Sequence, residues 1–353
     1  MGLRSLCRCP ARGFIAAAGT HGCHVGTGSS LVGTSGEMSK ARISCLGVMV
    51  VDALSRPLKS YPIPGKRPQV VTQSICFQPG GGCANTSLAF AQMGIPVRVF
   101  SKIGTDPNGQ FLLNELERHN VETCRICRSP NETTPFTYVS IHPNGERTFI
   151  HTPGTNRTFT LSDIDCEALL ETDFLFYQDL WVLPGIDGPP GAELLAKARE
   201  RGLVTFLDEC WGLGPDRKTW EMMLPHADYV LPSLDDMKAI YAESAPERIL
   251  QLLHERGARN IVLKMGKDGA VLSSDGRTSR IPTYATGIMD TTGAGDCFDA
   301  GFIAGLAHDL SAVDAAHIGS LAAAACVRQV GGAVGIPSFA SLWEELKRRK
   351  LVR

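Results

Sequence analysis

The chain lacks charge bias, a membrane-length apolar run and the best-known nucleotide and hydrolase signatures. Its 35 Lys and Arg face 36 Asp and Glu, a net charge of −1. The basic imprint of phosphate-backbone binding is therefore missing, which argues against nucleic acid as the main partner. The longest uncharged stretch near the start, between Arg12 and Glu37, is filled with Gly, Ser, Thr and His and reads as no membrane span. Gly266-Lys267 is followed by Asp268 rather than Ser or Thr, so there is no Walker A sequence. GxGxxG after a strand, GxSxG and HExxH are missing too, and the Rossmann, serine-hydrolase and zincin readings lose their direct support.

Cysteine is plentiful, at 12, but lacks the arrangement of a disulfide framework. Most lie inside apolar runs, such as Cys45 in Ile43-Ser44-Cys45-Leu46 and Cys326 among alanines, as thiols buried in a reducing cytoplasm do. The lone Cys124-Arg125-Ile126-Cys127 finds no second CxxC or HxxxH to complete a tetrahedral zinc site, and reads as an ordinary strand edge.

What is present is a core. With 43% hydrophobic residues, the 353-residue chain is too apolar for disorder. Its length fits two domains or one large α/β domain. Residues 1–36 stand apart: they hold Arg4, Arg8 and Arg12 and no acid. That composition is similar to an organelle transit peptide, yet Gly19, Gly22, Gly26 and Gly28 oppose an amphipathic helix. Met38-Ser39-Lys40, followed by the strand-like Ile43–Val51, reads as the natural start. Residues 1–37 are expected to be disordered or outside the mature protein, with one domain over 38–353.

From residue 43, short β-branched runs alternate with helix-period segments. Ile43–Val51, Val97–Ile103, Asp173–Gln178, Val204–Asp208, Tyr229–Leu231 and Ile261–Lys264 suit strands buried on both faces of a mostly parallel sheet. Between them lie helix candidates, including Asn85–Met93, Gly109–His119, Ala192–Arg201, Leu234–Tyr241, Pro246–Arg256, Asp296–Ala307 and Ala312–Val330. The alternation predicts a doubly wound α/β sheet flanked by helices. Two segments break the rhythm. Ser55–Phe77 is punctuated by Pro57, Pro62, Pro64 and Pro68, and Thr134–His151 reads as a hairpin turning at Asn144-Gly145. Together they predict a small β-sheet lid over the carboxyl ends of the strands.

The sharpest segment is Asp290-Thr291-Thr292-Gly293-Ala294-Gly295-Asp296, a small-residue loop opening onto an apolar helix. Amides at a helix start lack intrahelical partners and favour an anion, so Gly293 to Asp296 is a candidate phosphate cradle. Asp296 is then placed either to take a proton from an attacking hydroxyl or simply to cap the helix. A second cluster, Pro79-Gly80-Gly81-Gly82-Cys83-Ala84-Asn85, offers close backbone approach and, in Asn85, a donor and acceptor for a polyol.

These paired motifs, with Ile103-Gly104-Thr105-Asp106-Pro107-Asn108-Gly109, resemble the ribokinase-like (PfkB) carbohydrate kinases over Ile43 to Pro337. The resemblance implies ATP-dependent phosphorylation of a sugar hydroxyl with Mg²⁺, and with K⁺ in many members. It casts Asp296 as base and Gly293, Ala294 and Gly295 as anion hole. Asp52, Gly81, Gly82, Asn85 and Glu146 become sugar contacts. Lys264, Gly266, Gly269, Gly332 and Ala333 become nucleotide contacts, and Asp290 a monovalent-cation ligand. The chain departs from the family where Asn-x-x-Glu is usual after a proline: Ser233 and Asp236 follow Pro232, which weakens the expected Mg²⁺ and nucleotide site. In relatives the lid often pairs two copies, for which Tyr138, Ile141, Phe149 and Ile150 are candidates.

Two other readings stay open. One is a nucleoside kinase of the same family, with Trp181 and Trp211 stacking on a base. The other is a sugar- or nucleotide-binding sensor that has lost turnover. A phosphorylated acceptor would need basic residues such as Lys59, Lys66, Arg67 or Lys102 around one site. A metal-binding role for His142 and His151 is less economical than a strand-edge role.

Overall fold

The computed structural model describes residues 41–143, 146–210 and 214–349. The chain divides into two units, Met1–Glu37 and Met38–Arg353, of which only the second is described. The expectations for the leader, for the Asn144-Gly145 turn and for Trp211 fall outside the described residues.

Strand β1 (Ile43–Leu46) starts the large sheet, and the chain leaves it at Gly47 to form β2 (Val50–Arg56) and β3 (Ser74–Gly80) of a separate sheet. The single run Ile43–Val51 is therefore split between two sheets. Helix α1 (Gly82–Met93) returns the chain to β4 (Val97–Phe100); β5 (Lys102–Gly104), α2 (Pro107–Arg118) and β6 (Cys127–Ser129) follow. The hairpin β7 (Phe136–Ile141) and β8 (Arg147–Thr152) completes the small sheet, in the order β3-β2-β7-β8. The chain then alternates: α3 (Cys166–Leu170), β9 (Phe174–Leu180), α4 (Pro189–Glu200), β10 (Val204–Glu209), α5 (Arg217–Met223), β11 (Tyr229–Val230), α6 (Leu234–Tyr241) and α7 (Pro246–Glu255). β12 (Asn260–Lys264), β13 (Ala270–Ser274) and β14 (Arg277–Ile281) close the sheet edge, before α8 (Ala294–Ala307), α9 (Ala312–Cys326) and α10 (Phe339–Arg348).

The large sheet runs β14-β13-β12-β11-β10-β9-β1-β4, parallel from β12 to β4 and antiparallel only at the β12-β13-β14 edge. Its strands are apolar on both faces because helices cover both. Phe176 and Phe206 point into the layer built with α1, α8 and α9, whereas Tyr177 and Leu207 point into the layer built with α4, α5 and α7. Small residues bring α8 and α9 together: a Cβ on Gly301 would lie 2.8 Å from the Gly319 Cα, and one on Gly305 would lie 2.6 Å from the Ala315 Cα. That seam fixes where the first turn of α8 is held.

Candidate active site

The carboxyl ends of β9, β10 and β12 bring Asp179, Asp208, Glu209 and Lys264 to one rim, the place where open parallel sheets bind ligands. The first turn of α8 arrives there with Asp296, and the small sheet overhangs it with Asp52. Asp296 accepts a hydrogen bond from Asn85 Nδ2 at 2.8 Å. Burial pushes its carboxyl above the ordinary aspartate range, the Asn85 bond opposes that shift and the Asp208 charge adds to it. Gly293 precedes the helix with φ 71°, a left-handed turn that sets the following amides along the helix axis. The position a Cβ on Gly295 would take lies 3.7 Å from Lys264 Nζ, so ammonium and helix N-terminus border one anion-sized space.

Each glycine of the triple-glycine loop faces a neighbour that leaves no room for a side chain. A Cβ on Gly80 would fall 2.2 Å from Asp52 Oδ2, and Gly81, at φ 82°, has the Val48 carbonyl 2.5 Å from its virtual Cβ. Gly82 donates its N–H to Asp179 Oδ1 at 3.0 Å, and Val48 donates to Asp179 Oδ2 at 2.7 Å. Asp179 has φ 61°, unusual for an aspartate, and its buried carboxyl is pushed up to about 7 by burial and then by Asp296.

Lys264 is clamped, with Nζ 3.0 Å from Asp208 Oδ1 and 2.7 Å from Asp299 Oδ2. Burial works against its charge, but the two carboxylates outweigh it and hold the amine protonated. Asp208 and Glu209 are both buried. Glu209 Oε1 accepts from Ser233 N at 2.7 Å, and its carboxyl is pushed well up by burial, then by Asp208 and Asp236. Ser233 caps α6: its hydroxyl accepts from Asp236 N at 3.1 Å and lies 2.5 Å from Asp236 Oδ2. Among the described residues no group of three or more His, Cys, Asp or Glu forms a metal cage. An all-oxygen set of one or two carboxylates is what Mg²⁺ carried on nucleotide phosphates requires, and Asp236 with Glu209 fits that description.

The remaining expectations are distributed unevenly. Gly266 and Gly269 form the turn after β12, where Met265 donates to the Gly269 carbonyl at 2.8 Å. Gly332 packs against the Asn85–Asp296 pair, since a Cβ there would fall 2.2 Å from Asn85 Oδ1. Ala333 is buried, and its carbonyl accepts from Gln92 Nε2 at 2.7 Å. Asp290 is fully engaged: Oδ1 accepts from Thr292 N at 2.8 Å and from Arg147, and Oδ2 accepts from Gly331 N at 3.0 Å. A positive charge already sits on the carboxylate expected to bind K⁺, so the residues present do not fit that ion. Trp181 is buried against Trp220 with its Nε1 donating to Asp216, which removes it as a stacking platform.

In the small sheet, Asp52 shares a cross-strand row with Gln78, Thr137 and His151. Alternation then puts Arg147 and Phe149 on that same inner face and Tyr138 and Ile150 on the other. Glu146 is exposed at the hairpin end, and its neighbour Arg147 reaches Asp290 and Thr292 of the loop that enters α8. Sequence reading passed over Arg147, although the period-2 pattern of the hairpin already separated the two. Burial, partly offset by Thr137 and joined by the Asp296 charge, raises the Asp52 carboxyl to about 6.

Known proteins share both the site-bearing sequence and the fold. A pfkB family carbohydrate kinase profile matches residues 40–338. The chain is 27% identical over 279 residues to an ATP-dependent 6-phosphofructokinase of Thermoanaerobacterium thermosaccharolyticum, covering 77% of this chain and 86% of that protein. It is 24% identical over 315 residues to a ribokinase of Lactococcus lactis, covering 88% and 98%. The structure of Arabidopsis thaliana ribokinase complexed with ribose and ATP superposes with a TM-score of 0.77 at 22% identity, over 87% of this chain and 99% of that one. The large mostly parallel sheet with its separate small sheet is the ribokinase fold, and the chain belongs to the pfkB family of carbohydrate kinases.

Proposed function

We propose that the protein transfers the γ-phosphoryl group of ATP to a hydroxyl of a neutral sugar held between Asp52 and Asp296. The observation that carries this reading is the Asn85–Asp296 hydrogen bond at the first turn of α8, directly under the lid carboxylate Asp52. Asp296 takes the proton of the attacking hydroxyl, and its raised affinity for protons suits that task near neutral pH. Asn85 orients the carboxylate. The Gly293–Gly295 turn, the first amides of α8 and Lys264 stabilise charge on the group in transfer. Asp52 fixes the sugar, with Gly81 and Gly82 keeping the backbone close. Gly266, Gly269, Gly332 and Ala333 border the nucleotide. Mg²⁺ on the nucleotide would neutralise phosphate charge, and Asp236 and Glu209 are the residues that would hold it.

A neutral acceptor is favoured over a sugar phosphate by the surroundings of the cations. Lys102 is buried and taken up by Glu132 at 3.3 Å and Asp163 at 3.4 Å. Arg147, the cation of the lid's inner face, is likewise paired with Asp290. The cytoplasm is the proposed compartment; no described helix is long and apolar enough to cross a membrane. The outer lid face exposes Ile75, Phe77 and Ile150, and we assign it to pairing with a second copy. Of the four residues named from sequence, Tyr138 and Ile150 share that face, whereas Ile141 and Phe149 lie on the inner one.

The test is ADP release with Mg-ATP across pentoses, hexoses, keto-deoxy sugars, sugar phosphates and nucleosides. Turnover on a neutral sugar, lost in Asp296→Asn, is the expected result. Ligand-induced rises in melting temperature without turnover on any acceptor would establish the sensor reading instead.

A further inference from the structure

The inner face of the lid carries one cation into the catalytic floor. Arg147 opens β8, and its guanidinium donates to Asp290 Oδ1 and to Thr292 Oγ1. The Asp290 side chain is 2% exposed and that of Arg147 19%, so this pair is largely removed from water. Burial opposes ionisation of Asp290, but the bonds from Thr292 N, Arg147 and Gly331 N outweigh it and hold the carboxyl below its ordinary range. Removing the partner of such a charge leaves it uncompensated in the interior.

Asp290 is also the clasp of the loop that enters α8. Through Oδ1 it holds Thr292 N at 2.8 Å, one residue before Gly293, and through Oδ2 it holds Gly331 N at 3.0 Å. Gly331 leads into Gly332, whose Cα lies 3.1 Å from the virtual Cβ of Gly293 and which abuts Asn85, the partner of Asp296. One contiguous set of contacts therefore runs from the lid guanidinium to the base. Because β8 pairs with β7 and β7 with β2, Arg147 and Asp52 are carried by the same sheet.

We propose that Arg147 is a positioning residue. Its guanidinium is the fixed cation of Asp290, and it makes seating of the lid and ordering of the anion-hole loop a single event. This rests on the phosphotransfer reading for its consequence, but not for its structural content. The loop needs no monovalent cation from solution, because the lid supplies the charge.

The experiment compares wild type, Arg147→Ala and Arg147→Lys, each checked for folding by melting temperature. The first readout is amide hydrogen exchange at residues 290–296 and 331–332 without ligand. Exchange there is expected to rise at least tenfold in Arg147→Ala and less in Arg147→Lys, with the centre of α8 unchanged. The second readout is turnover on the accepted sugar, with kcat falling about 100-fold and the KM for ATP shifting less than threefold. Wild-type turnover should be equal in K⁺ and in tetramethylammonium salts, whereas Arg147→Ala should regain part of its kcat in added guanidinium. Unchanged exchange in a folded Arg147→Ala protein, or a wild type that requires K⁺, would overturn the proposal. If exchange responds as expected and no acceptor is phosphorylated, the clasp stands and the phosphotransfer reading fails.

Discussion

The floor of the cleft is a helix buried along most of its length, and the roof is a four-stranded sheet with an open outer face. α8 buries Cys297 through Gly305 without a break and meets α9 through glycine and alanine. The outer face of the sheet, by contrast, leaves Ile75 at 56%, Phe77 at 57% and Ile150 at 64% exposed. The proposed phosphoryl contacts sit on the floor, where α8 packs closely against α9. The proposed acceptor contact Asp52 hangs from the roof, on a sheet that leaves Ile75, Phe77 and Ile150 exposed. On the proposed reading, chemistry is tied to the densest packing and acceptor binding to the sheet above it.

The difference can be broken most forcefully at the floor. Asp296→Asn should lower kcat by about 10³-fold with little change in melting temperature, as measured by steady-state ADP release and thermal unfolding. A loss of stability comparable to a core mutation would show that Asp296 is a structural cap rather than the base. Next, Lys264→Met removes the cation between Asp208 and Asp299 and should cost about 3–5 kcal/mol in urea unfolding, because two buried carboxylates lose their counter-charge. The double change Lys264→Met/Asp299→Asn should recover a large part of that loss. No recovery would mean that packing of the lysine stem dominates.

Roof substitutions should act more on pH and acceptor binding than on folding. Asp52 is held near 6 in the fold, against about 3.9 in an unfolded chain. As the pH rises between these values the unfolded chain ionises first, so stability is lost over that interval and stays lost above it. Asp52→Asn should therefore raise stability at pH 7.5, on the order of 1–2 kcal/mol, and by progressively less towards pH 4. The same substitution should abolish acceptor saturation and remove an acid limb of kcat/KM near pH 6. An acid limb unchanged in Asp52→Asn would assign it to another group. The smallest effect belongs to the outer face. Ile150→Lys should leave kcat within twofold while reducing the mass seen by light scattering at micromolar protein from dimer to monomer. A wild-type monomer under those conditions would sink the pairing assignment.

Local signals were enough where chemistry coincides with chain order. The glycine loops, Asn85 and Asp296 are legible because a small-residue turn entering a helix is itself a feature of sequence. The pairing of Phe136–Ile141 with Arg147–Thr152 was legible from Asn144-Gly145 between two β-rich runs. Partnerships across long separations were not. Asp179 braces Gly82 and Val48, Lys264 meets residues 56 and 35 positions away, and Arg147 reaches Asp290 across 143 positions. Nothing in the local pattern near Asp290 distinguishes a carboxylate waiting for an ion from one already paired.

The sequence by itself determined the doubly wound sheet, the lid hairpin and the loop that becomes the start of α8, because periodicity and turn chemistry are properties of neighbouring residues. Tertiary structure alone decided which charges meet, among them Arg147 with Asp290 and Lys264 with Asp208 and Asp299. Those outcomes depend on how β2 and β7 pair and on where α8 is held by α9, and burial in that geometry pushes the carboxyls of Asp52, Asp179 and Asp296 above their ordinary range.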